Sequence, residues 1–363
     1  MTATHSGQDE PTGSNPSRIF AIDVLRGVAL MGIVGPNIVL YDIDSLADIG
    51  PAFTHLPVSV AGAPFMLFTL VFVVNKMMAV FSMLFGCGVL IVTDRAESRA
   101  ARGWKLYFRR NLILLGIGIA HMWIWVGDIL TVYALCSLIL YFCRKLSARI
   151  LIIAGLLIWY WAPVLWLLSD LGPEGDEYFS RAFSMMLLGM GLYRLEILTG
   201  QRSINWYRSG TIICMLVGLP MVSLAWLSEP NALAVNNIGA PAVAVGYVCA
   251  VMWLCKSNVL SSLQKCLAAA GQMALTNYLA QTLIGMGFYR LLKPMGREPS
   301  ASLLGLGMLT IWILQLAWSS LWLRQFQYGP LEWLWRMGSY AQRCPMRRNP
   351  AAAASSSSSP DRR

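Results

Sequence analysis

The 363-residue sequence has little charge: Asp, Glu, Lys and Arg make up 13% of it, about half the share usual in soluble globular domains. Hydrophobic residues make up 56%, and the mean hydropathy is +0.57. This composition excludes an ordinary soluble domain and is typical of a protein that crosses a membrane several times. The net charge of +10 does not indicate a nucleic-acid partner, because the basic residues are scattered between apolar segments and form no continuous patch.

The sequence also lacks the short motifs of several function classes. It contains no CxxC pair, zinc motif, glycine-rich phosphate loop or GxSxG elbow. The eight cysteines lie within or beside apolar segments, where we expect them to pack as small hydrophobic residues. We therefore predict neither a bound metal nor a bound cofactor.

Apolar runs of near-bilayer length recur along the chain and predict an all-α, polytopic bundle of about ten transmembrane helices. The predicted spans are 19–40, 77–93, two halves of 110–144 that meet at a turn at Gly127–Asp128, 150–169, 178–198, 210–227, 238–255, 266–292 and 301–323. Most Lys and Arg residues then lie on one side, which the positive-inside rule assigns to the cytoplasm together with both termini. A crossing by residues 57–75 would move the basic segment 95–110 to the other side. We therefore predict a re-entrant or interfacial helix at 57–75, followed by Lys76 in an outer loop.

The two ends of the chain differ in composition from its middle. Residues 1–17 are polar and lack the apolar core of a signal peptide, so they predict a disordered cytoplasmic head. Residues 345–363 include a low-complexity run of Ala and Ser and predict a disordered tail. Residues 18–344 between them predict one transmembrane helical domain.

A charged pair lies inside the first predicted span. Asp23 and Arg26 are three residues apart and share one helix face, although charge in hydrocarbon is costly. Either the pair neutralises itself while Arg26 reaches the inner headgroups, or Asp23 holds the guanidinium toward a wet cavity. In such a cavity Arg26 would bind a phosphate or a thioester oxygen.

His121 is the only histidine within a predicted span, and Asp128 follows it at the hairpin turn. A histidine ordinarily titrates near neutral pH, which suits a general base, and a nearby carboxylate can orient it. The alternative is a histidine that only packs and hydrogen-bonds, because helices in lipid also associate through polar side chains. His55, in a predicted outer loop, is a weaker candidate base.

A polar stripe marks the span 266–292, where Thr276, Asn277 and Gln281 lie on neighbouring rows of one helix. Such a stripe must face other helices or water, so it indicates either contacts between helices or the lining of a substrate cavity. We predict these three residues, with Asp23 and Asn37, as substrate-binding residues. The segment "QYGPLEWLWR" after the last span predicts an interfacial anchor at the cytoplasmic surface.

Five ordered motifs resemble those of YeiB-like bacterial inner-membrane proteins, which carry a C-terminal domain of unknown function. The motifs are "DVLRGVALMGIVGPN", "FSMLFGCG", "HMWIWVGDILTVYAL", "GQMALTNYLAQT" and "GPLEWLWR". The resemblance extends from about Arg18 to Arg336, with the family's C-terminal part at about 178–344. It implies a multi-pass protein of the bacterial inner membrane.

The first helix, with its "LRG" and Asn37, is similar to that of the wider transmembrane acyltransferase superfamily. Those enzymes pass an acyl group from cytoplasmic acyl-CoA to a hydroxyl or amine outside the cytoplasm, often on a glycan. The resemblance implies that Arg26 and Asn37 help to form an acyl-transfer channel, with acyl-CoA as co-substrate. Many acyltransferases have a histidine where this sequence has Asn37, so either His121 or His55 would serve as the base.

These observations favour a membrane acyltransferase with His121, Asp128 and Arg26 as catalytic residues. The acceptor would be a glycan, a lipid or a small molecule, and membrane lipids would be the other partners. A transporter or exporter of a small polar or anionic molecule is the first alternative, with the charged pair as a site near the midplane. A non-catalytic membrane protein is the second.

Overall fold

The computed structural model describes residues 19–43, 45, 63–98, 103–168, 177–225, 232–295 and 299–348. The predictions for the head at 1–17, for His55 and for the tail beyond residue 348 lie outside these residues. The helices, in chain order, are α1 (Phe20–Leu40), α2 (Ala63–Phe68, continued by a π-helical turn at Thr69–Val73), α3 (Lys76–Ser98), α4 (Gly103–Met122), α5 (Leu130–Cys143), α6 (Ala148–Leu168), α7 (Glu177–Arg194), α8 (Ile204–Ala225), α9 (Ala232–Lys256), α10 (Ser261–Gln272), α11 (Ala274–Leu292), α12 (Ala301–Gln325) and α13 (Pro330–Tyr340).

The all-helical membrane bundle predicted from the sequence is confirmed. Among the described residues, five helices are long and apolar enough to cross a membrane, and two shorter apolar helices accompany them. The five are Phe20–Leu40, Pro64–Arg95, Ile204–Leu224, Val235–Lys256 and Ala301–Gln325, and the shorter two are Leu130–Cys143 and Ala148–Trp161. The total of ten crossings and the orientation of the bundle stay predictions.

The first helix lies at the centre of the bundle. α1 packs against α3, α10 and α12, and its Leu25, Ala29 and Leu30 are fully buried. Its contact with α10 is a close approach of two backbones, because a Cβ atom at Gly27 would overlap the carbonyl of Leu267. The lack of a side chain at Gly27 therefore allows α10 to approach α1 closely.

An outward-facing apolar stripe shows where the lipid lies. On α8, Ile212, Ile213, Leu216 and Val217 are all exposed. Exposed apolar side chains on this scale would be a liability in water, but they suit a surface covered by hydrocarbon chains. This face of the bundle is therefore its membrane-facing side.

The predicted span 266–292 is wrong as a single helix, because the chain breaks at Met273. The backbone of Met273 leaves the helical region, with φ −109° and ψ 31°. The break exposes the N–H groups of the first turn of α11, and these need acceptors. The Glu332 carboxylate supplies one: its Oε1 accepts the backbone N–H groups of Leu275 and Thr276 at 2.6 and 3.1 Å.

The predicted interruption near residues 75 and 76 is confirmed, since Asn75 has a left-handed φ of 66° between α2 and α3. The placement of Lys76 in an outer loop is wrong: its side chain is fully buried. The ammonium group hydrogen-bonds to Leu70 O at 2.9 Å and to Asn236 Oδ1 at 2.5 Å. These two contacts hold a residue that hydropathy alone assigns to an exposed turn.

The start of the predicted tail is ordered. Arg347 forms an isolated antiparallel bridge with Phe326, the residue after α12, and the N–H of Gln327 donates to Met346 O at 2.9 Å. The N–H of Arg348 donates to Gln325 O at 3.0 Å. The domain boundaries themselves stay predictions.

Candidate active site

Asp128 and His121 form a buried hydrogen-bonded pair at the end of α4. The distance from His121 Nδ1 to Asp128 Oδ1 is 2.7 Å, and the two side chains are 1% and 0% exposed. The other carboxylate oxygen of Asp128 accepts the backbone N–H of Thr131 at 2.8 Å. Because this carboxylate accepts at both oxygens, the proton between the pair belongs to His121 Nδ1. Nε2 then carries a lone pair directed away from Asp128.

Thr282 on α11 lies at that lone pair. The distance between His121 Nε2 and Thr282 Oγ1 is 3.0 Å, and Thr282 is fully buried. The hydroxyl therefore donates to the imidazole, and Asp128, His121 and Thr282 form a continuous chain of hydrogen bonds. Sequence reasoning missed Thr282, although it follows directly after Gln281 in the polar stripe.

Aromatic side chains enclose this chain. The ring of Tyr278 lies 5.2 Å from the imidazole of His121, measured between centroids, and its hydroxyl accepts the N–H of Ile129 at 3.3 Å. Trp125 closes another side and donates from Nε1 to Leu40 O at 3.0 Å. The enclosure keeps the imidazole out of the lipid, and it ties the α4–α5 turn to the end of α1.

The end of α1 adds a second polar edge to the site. The ring of Tyr41 packs against Trp125 at 5.0 Å between centroids, and its hydroxyl lies beside Asn37 and Thr282. That hydroxyl is buried and has no hydrogen-bond partner among the described residues. The structure thus brings the predicted Asn37 to the same place as His121 and Asp128, through Tyr41 and Thr282.

Arg26 lies in a different part of the bundle. Its Nη1 donates to Asp23 Oδ1 at 3.1 Å, and its side chain is 32% exposed. Its charge also acts on the guanidinium of Arg110, which lies near Arg336 as well. Arg26, Arg110 and Arg336 form a group that we call the arginine cluster.

The indole of Trp335 holds Arg110, one member of the arginine cluster. The guanidinium of Arg110 lies over this ring at 3.8 Å from its centroid, and Trp335 Nε1 donates to Arg110 O at 2.8 Å. A guanidinium on an indole face is held by cation–π attraction while its edges remain able to donate. α13, predicted as a surface anchor, thus contributes a positive side chain, Arg336, beside the start of α4.

The arginine cluster and His121 are separate centres. Arg110 and His121 are eleven residues apart on α4, and Arg26 and Asn37 are eleven apart on α1. At 1.5 Å of rise per residue, each interval is about 16 Å. The two helices therefore run in the same direction, with the arginines at one level and the His121 site at the other. The catalytic and binding roles of these residues stay predictions.

The predicted binding residues of α11 make contacts between helices. Asn277 Nδ2 donates to Ser319 Oγ at 2.8 Å, and Gln281 Nε2 donates to Gln315 Oε1 at 2.7 Å. Thr276 Oγ1 donates to Glu332 Oε2 at 2.5 Å. Hydrogen bonds of this kind join helices where no water is present. A role for these residues in substrate binding stays a prediction.

Among the described residues, no group of three or more His, Cys, Asp or Glu side chains could hold a metal ion.

Residues 192–342 match a family model described as "Protein of unknown function (DUF418)". The chain is 27% identical to "Uncharacterized protein YxaH" of Bacillus subtilis (strain 168), with 91% of this chain and 96% of that protein covered. It is also 27% identical to "Uncharacterized protein YeiB" of Escherichia coli (strain K12), with 88% and 95% covered. The resemblance that the five motifs predict is thus confirmed: the chain is similar to YeiB over most of its length, and its C-terminal part matches the DUF418 model.

Proposed function

We propose that this protein is a membrane acyltransferase in which His121 is the general base. The single observation that carries the proposal is the buried chain from Asp128 through His121 to Thr282. A carboxylate that holds one ring nitrogen leaves the other free to accept a proton from a hydroxyl group. In the resting protein that hydroxyl belongs to Thr282, and the lone pair is already directed at an alcohol.

The reaction moves an acyl group from a thioester to an alcohol. His121 Nε2 takes the proton of the acceptor hydroxyl, the acceptor oxygen forms a bond to the acyl carbonyl carbon, and the carbon–sulfur bond breaks. The proton then passes from the imidazolium to the departing thiolate. Negative charge builds up on the carbonyl oxygen in between, and the unpaired hydroxyl of Tyr41, with the amide of Asn37 beside it, can stabilise that charge by donating hydrogen bonds.

The arginine cluster is suited to bind the phosphate-bearing end of the acyl donor, acyl-CoA. Acyl-CoA carries phosphate groups far from its thioester, and guanidinium groups bind phosphate oxygens strongly. Arg26, Arg110 and Arg336 lie at the level of the bundle that the positive-inside rule assigns to the cytoplasm. A donor held there and extended along α1 and α4 would bring its acyl end toward His121. The localisation that follows is the bacterial inner membrane, with the arginine cluster near its cytoplasmic face.

The test is acyl labelling of whole cells. Cells that lack a YeiB-like protein are given the wild type, His121→Asn, or Thr93→Val as a matched control. The Thr93 hydroxyl bonds only to carbonyls of its own helix among the described residues. With the wild type and the control we expect radiolabelled acetate to enter envelope glycans as acetyl esters that mild alkali releases. We expect no such label with His121→Asn. Equal labelling by His121→Asn at normal protein levels would remove His121 from the mechanism.

A second candidate, transport of a small anion, is favoured by a different observation. The membrane helices are broken in the interior of the bundle, at Asn75 and at Met273. Transporters commonly place their substrate sites at such breaks, where a helix N-terminus favours an anion. Uptake of a labelled anion into proteoliposomes without any acyl donor would support transport, and its absence under conditions that support acylation would exclude it.

A further inference from the structure

Lys76 lies at the first residue of α3, inside the bundle. Its side chain is fully buried, and the neighbouring Met77 packs against the midpoint of α1, where a Cβ atom at Gly32 would overlap it. This position is near the middle of α1, far from either end. An ionisable group at such depth is costly, and its presence indicates a function.

The contacts of Lys76 are neutral. The ammonium donates to the backbone carbonyl of Leu70 and to the side-chain carbonyl of Asn236. No carboxylate forms an ion pair with it among the residues that the structure describes. A buried cation usually has a counter-charge, because hydrogen bonds to dipoles alone offset only part of the loss of hydration. One of the three donor positions of the ammonium also remains.

Two further donors without acceptors lie on α9, the helix that supplies the Asn236 carbonyl to this ammonium. The amide Nδ2 atoms of Asn236 and Asn237 are buried and make no hydrogen bond within the described part of the chain. Both side chains are 0% exposed. Since the two polar atoms of one amide are roughly 2.2 Å apart, Asn236 Nδ2 lies within about 5 Å of the Lys76 ammonium. Asn237 is the next residue of α9, and its Oδ1 contacts Asn75, the residue before Lys76. Buried N–H groups without a partner need an acceptor.

The orientation of the two amides is fixed by their neighbours. Asn237 Oδ1 accepts a hydrogen bond from Asn75 Nδ2 at 2.5 Å, so its amino group points away from that partner. The backbone carbonyl of Asn237 accepts from Trp159 Nε1 at 2.7 Å, which holds this turn of α9 against α6. The donors are therefore set in place before any ligand arrives, which lowers the entropic cost of binding.

We infer that Lys76, Asn236 and Asn237 form a binding site for a small carboxylate. The ammonium of Lys76 can neutralise one negative charge, so its ligand should be a monovalent anion. A phosphate dianion would leave one charge uncompensated in the membrane interior. A carboxylate presents two oxygens with about four acceptor positions, which matches the ammonium and the two amide groups. The N-terminus of α3 at Lys76 adds favourable potential. This inference does not depend on acyl transfer.

The experiment uses the full-length protein purified in detergent, with melting temperature as the readout. Sodium formate, acetate, chloride and phosphate are titrated at constant ionic strength. For the wild type we expect a saturable rise with formate or acetate, because a ligand that binds only the folded state raises its melting temperature. Lys76→Gln should weaken the apparent affinity at least tenfold. Lys256→Gln removes the same charge from an exposed residue and should respond as the wild type does.

A second variant keeps the test decisive if Lys76→Gln does not fold. Asn236→Asp leaves an oxygen in place to accept from Lys76 and supplies the missing negative charge from the protein itself. We expect this variant to melt higher than the wild type and to lose the response to carboxylates. A wild type that responds to no anion, or whose response survives in Asn236→Asp, would overturn the inference, as would a response to chloride or phosphate alone.

Discussion

Thr282 Oγ1 lies 3.0 Å from His121 Nε2, although 161 residues separate them in the chain. Asp128 holds the opposite nitrogen of the same ring at 2.7 Å. The arrangement gives the imidazole one defined tautomer and one defined direction for proton transfer.

Asp128→Asn should reverse that tautomer. The Asn carbonyl can still accept the N–H of Thr131, but its amino group then faces Nδ1, which forces the imidazole proton onto Nε2. With its proton on Nε2, the imidazole cannot accept the proton of the acceptor hydroxyl, and general-base catalysis is lost. We therefore expect acyl-transfer turnover to fall about 10²–10⁴-fold. The melting temperature should change little, because the fold keeps its contacts. Turnover in envelope-labelling assays that stays at the wild-type level would contradict this role.

Thr282→Val should destabilise the protein, whereas Thr282→Ser should not. Valine leaves His121 Nε2 buried without a partner, which costs about 1–3 kcal/mol, and serine restores the hydroxyl. Thr310→Val is the control, since that hydroxyl is exposed and bonds only to Leu306 O in the described structure. Unfolding in mixed detergent measures the difference, and equal stability of the valine and serine variants would show that the contact contributes nothing.

Gly86 and Gly88 on α3 should respond in opposite ways to alanine. A Cβ atom at Gly86 would overlap the carbonyl of Met186 on α7, whereas one at Gly88 meets nothing within 4 Å. We expect Gly86→Ala to cost about 1–3 kcal/mol through forced separation of the helices, and Gly88→Ala to be neutral or stabilising by up to about 1 kcal/mol. Melting temperatures of the two variants in the same detergent measure this. A similar change in both variants would contradict this prediction, since it would show that the contact with Met186 does not decide the outcome.

Glu332 should make stability depend on pH. Burial raises the pKa of its carboxyl above the ordinary value of 4.5, and hydrogen bonds from Thr276 and Leu275 lower it in part. A raised folded-state pKa means that the folded protein binds the proton more tightly than the unfolded chain does. This stabilisation is therefore complete below pH 4.5 and is lost as the pH rises through the folded-state pKa.

The measurement compares wild type with Glu332→Gln, which cannot titrate. The stability of the wild type relative to this variant should fall as the pH rises from 4.5 toward neutrality. Glu332→Ala should be less stable than both at every pH, because the N–H groups of Leu275 and Thr276 lose their acceptor. A difference between wild type and Glu332→Gln that does not vary with pH would show that the carboxyl titrates normally.

Much of the helical pattern is predictable from the sequence, and the exceptions have a common cause. The breaks at Gly127–Asp128 and at Asn75 follow from polar residues inside apolar runs, and the structure has both. Gly271 and Gln272 precede the break at Met273, but the acceptor for the freed N–H groups is Glu332, 57 residues from Leu275 in the chain. Lys76 was misplaced for the same reason, since its partner Asn236 lies 160 residues away.

The candidate site was predictable in part. His121 and Asp128 stand out because ionisable residues are rare in apolar helices, and their short separation in sequence suggests contact. Thr282 and Tyr41 do not stand out, since hydroxyl side chains are common in membrane helices and only proximity distinguishes them. Arg26 is likewise an ionisable residue in an apolar helix, but it lies at a different level of the bundle from His121. Its depth relative to His121 does not follow from composition.

The sequence by itself determined that this chain is a helical membrane protein, because hydrophobicity and helix length act locally and a run of apolar residues needs no partner to favour lipid. Tertiary structure alone decided which polar groups meet. It set Thr282 against His121, Lys76 against Asn236, and the arginine cluster at a distance from both. Hydrogen bonds form only between atoms about 3 Å apart, and helix packing, not position in the chain, sets those distances.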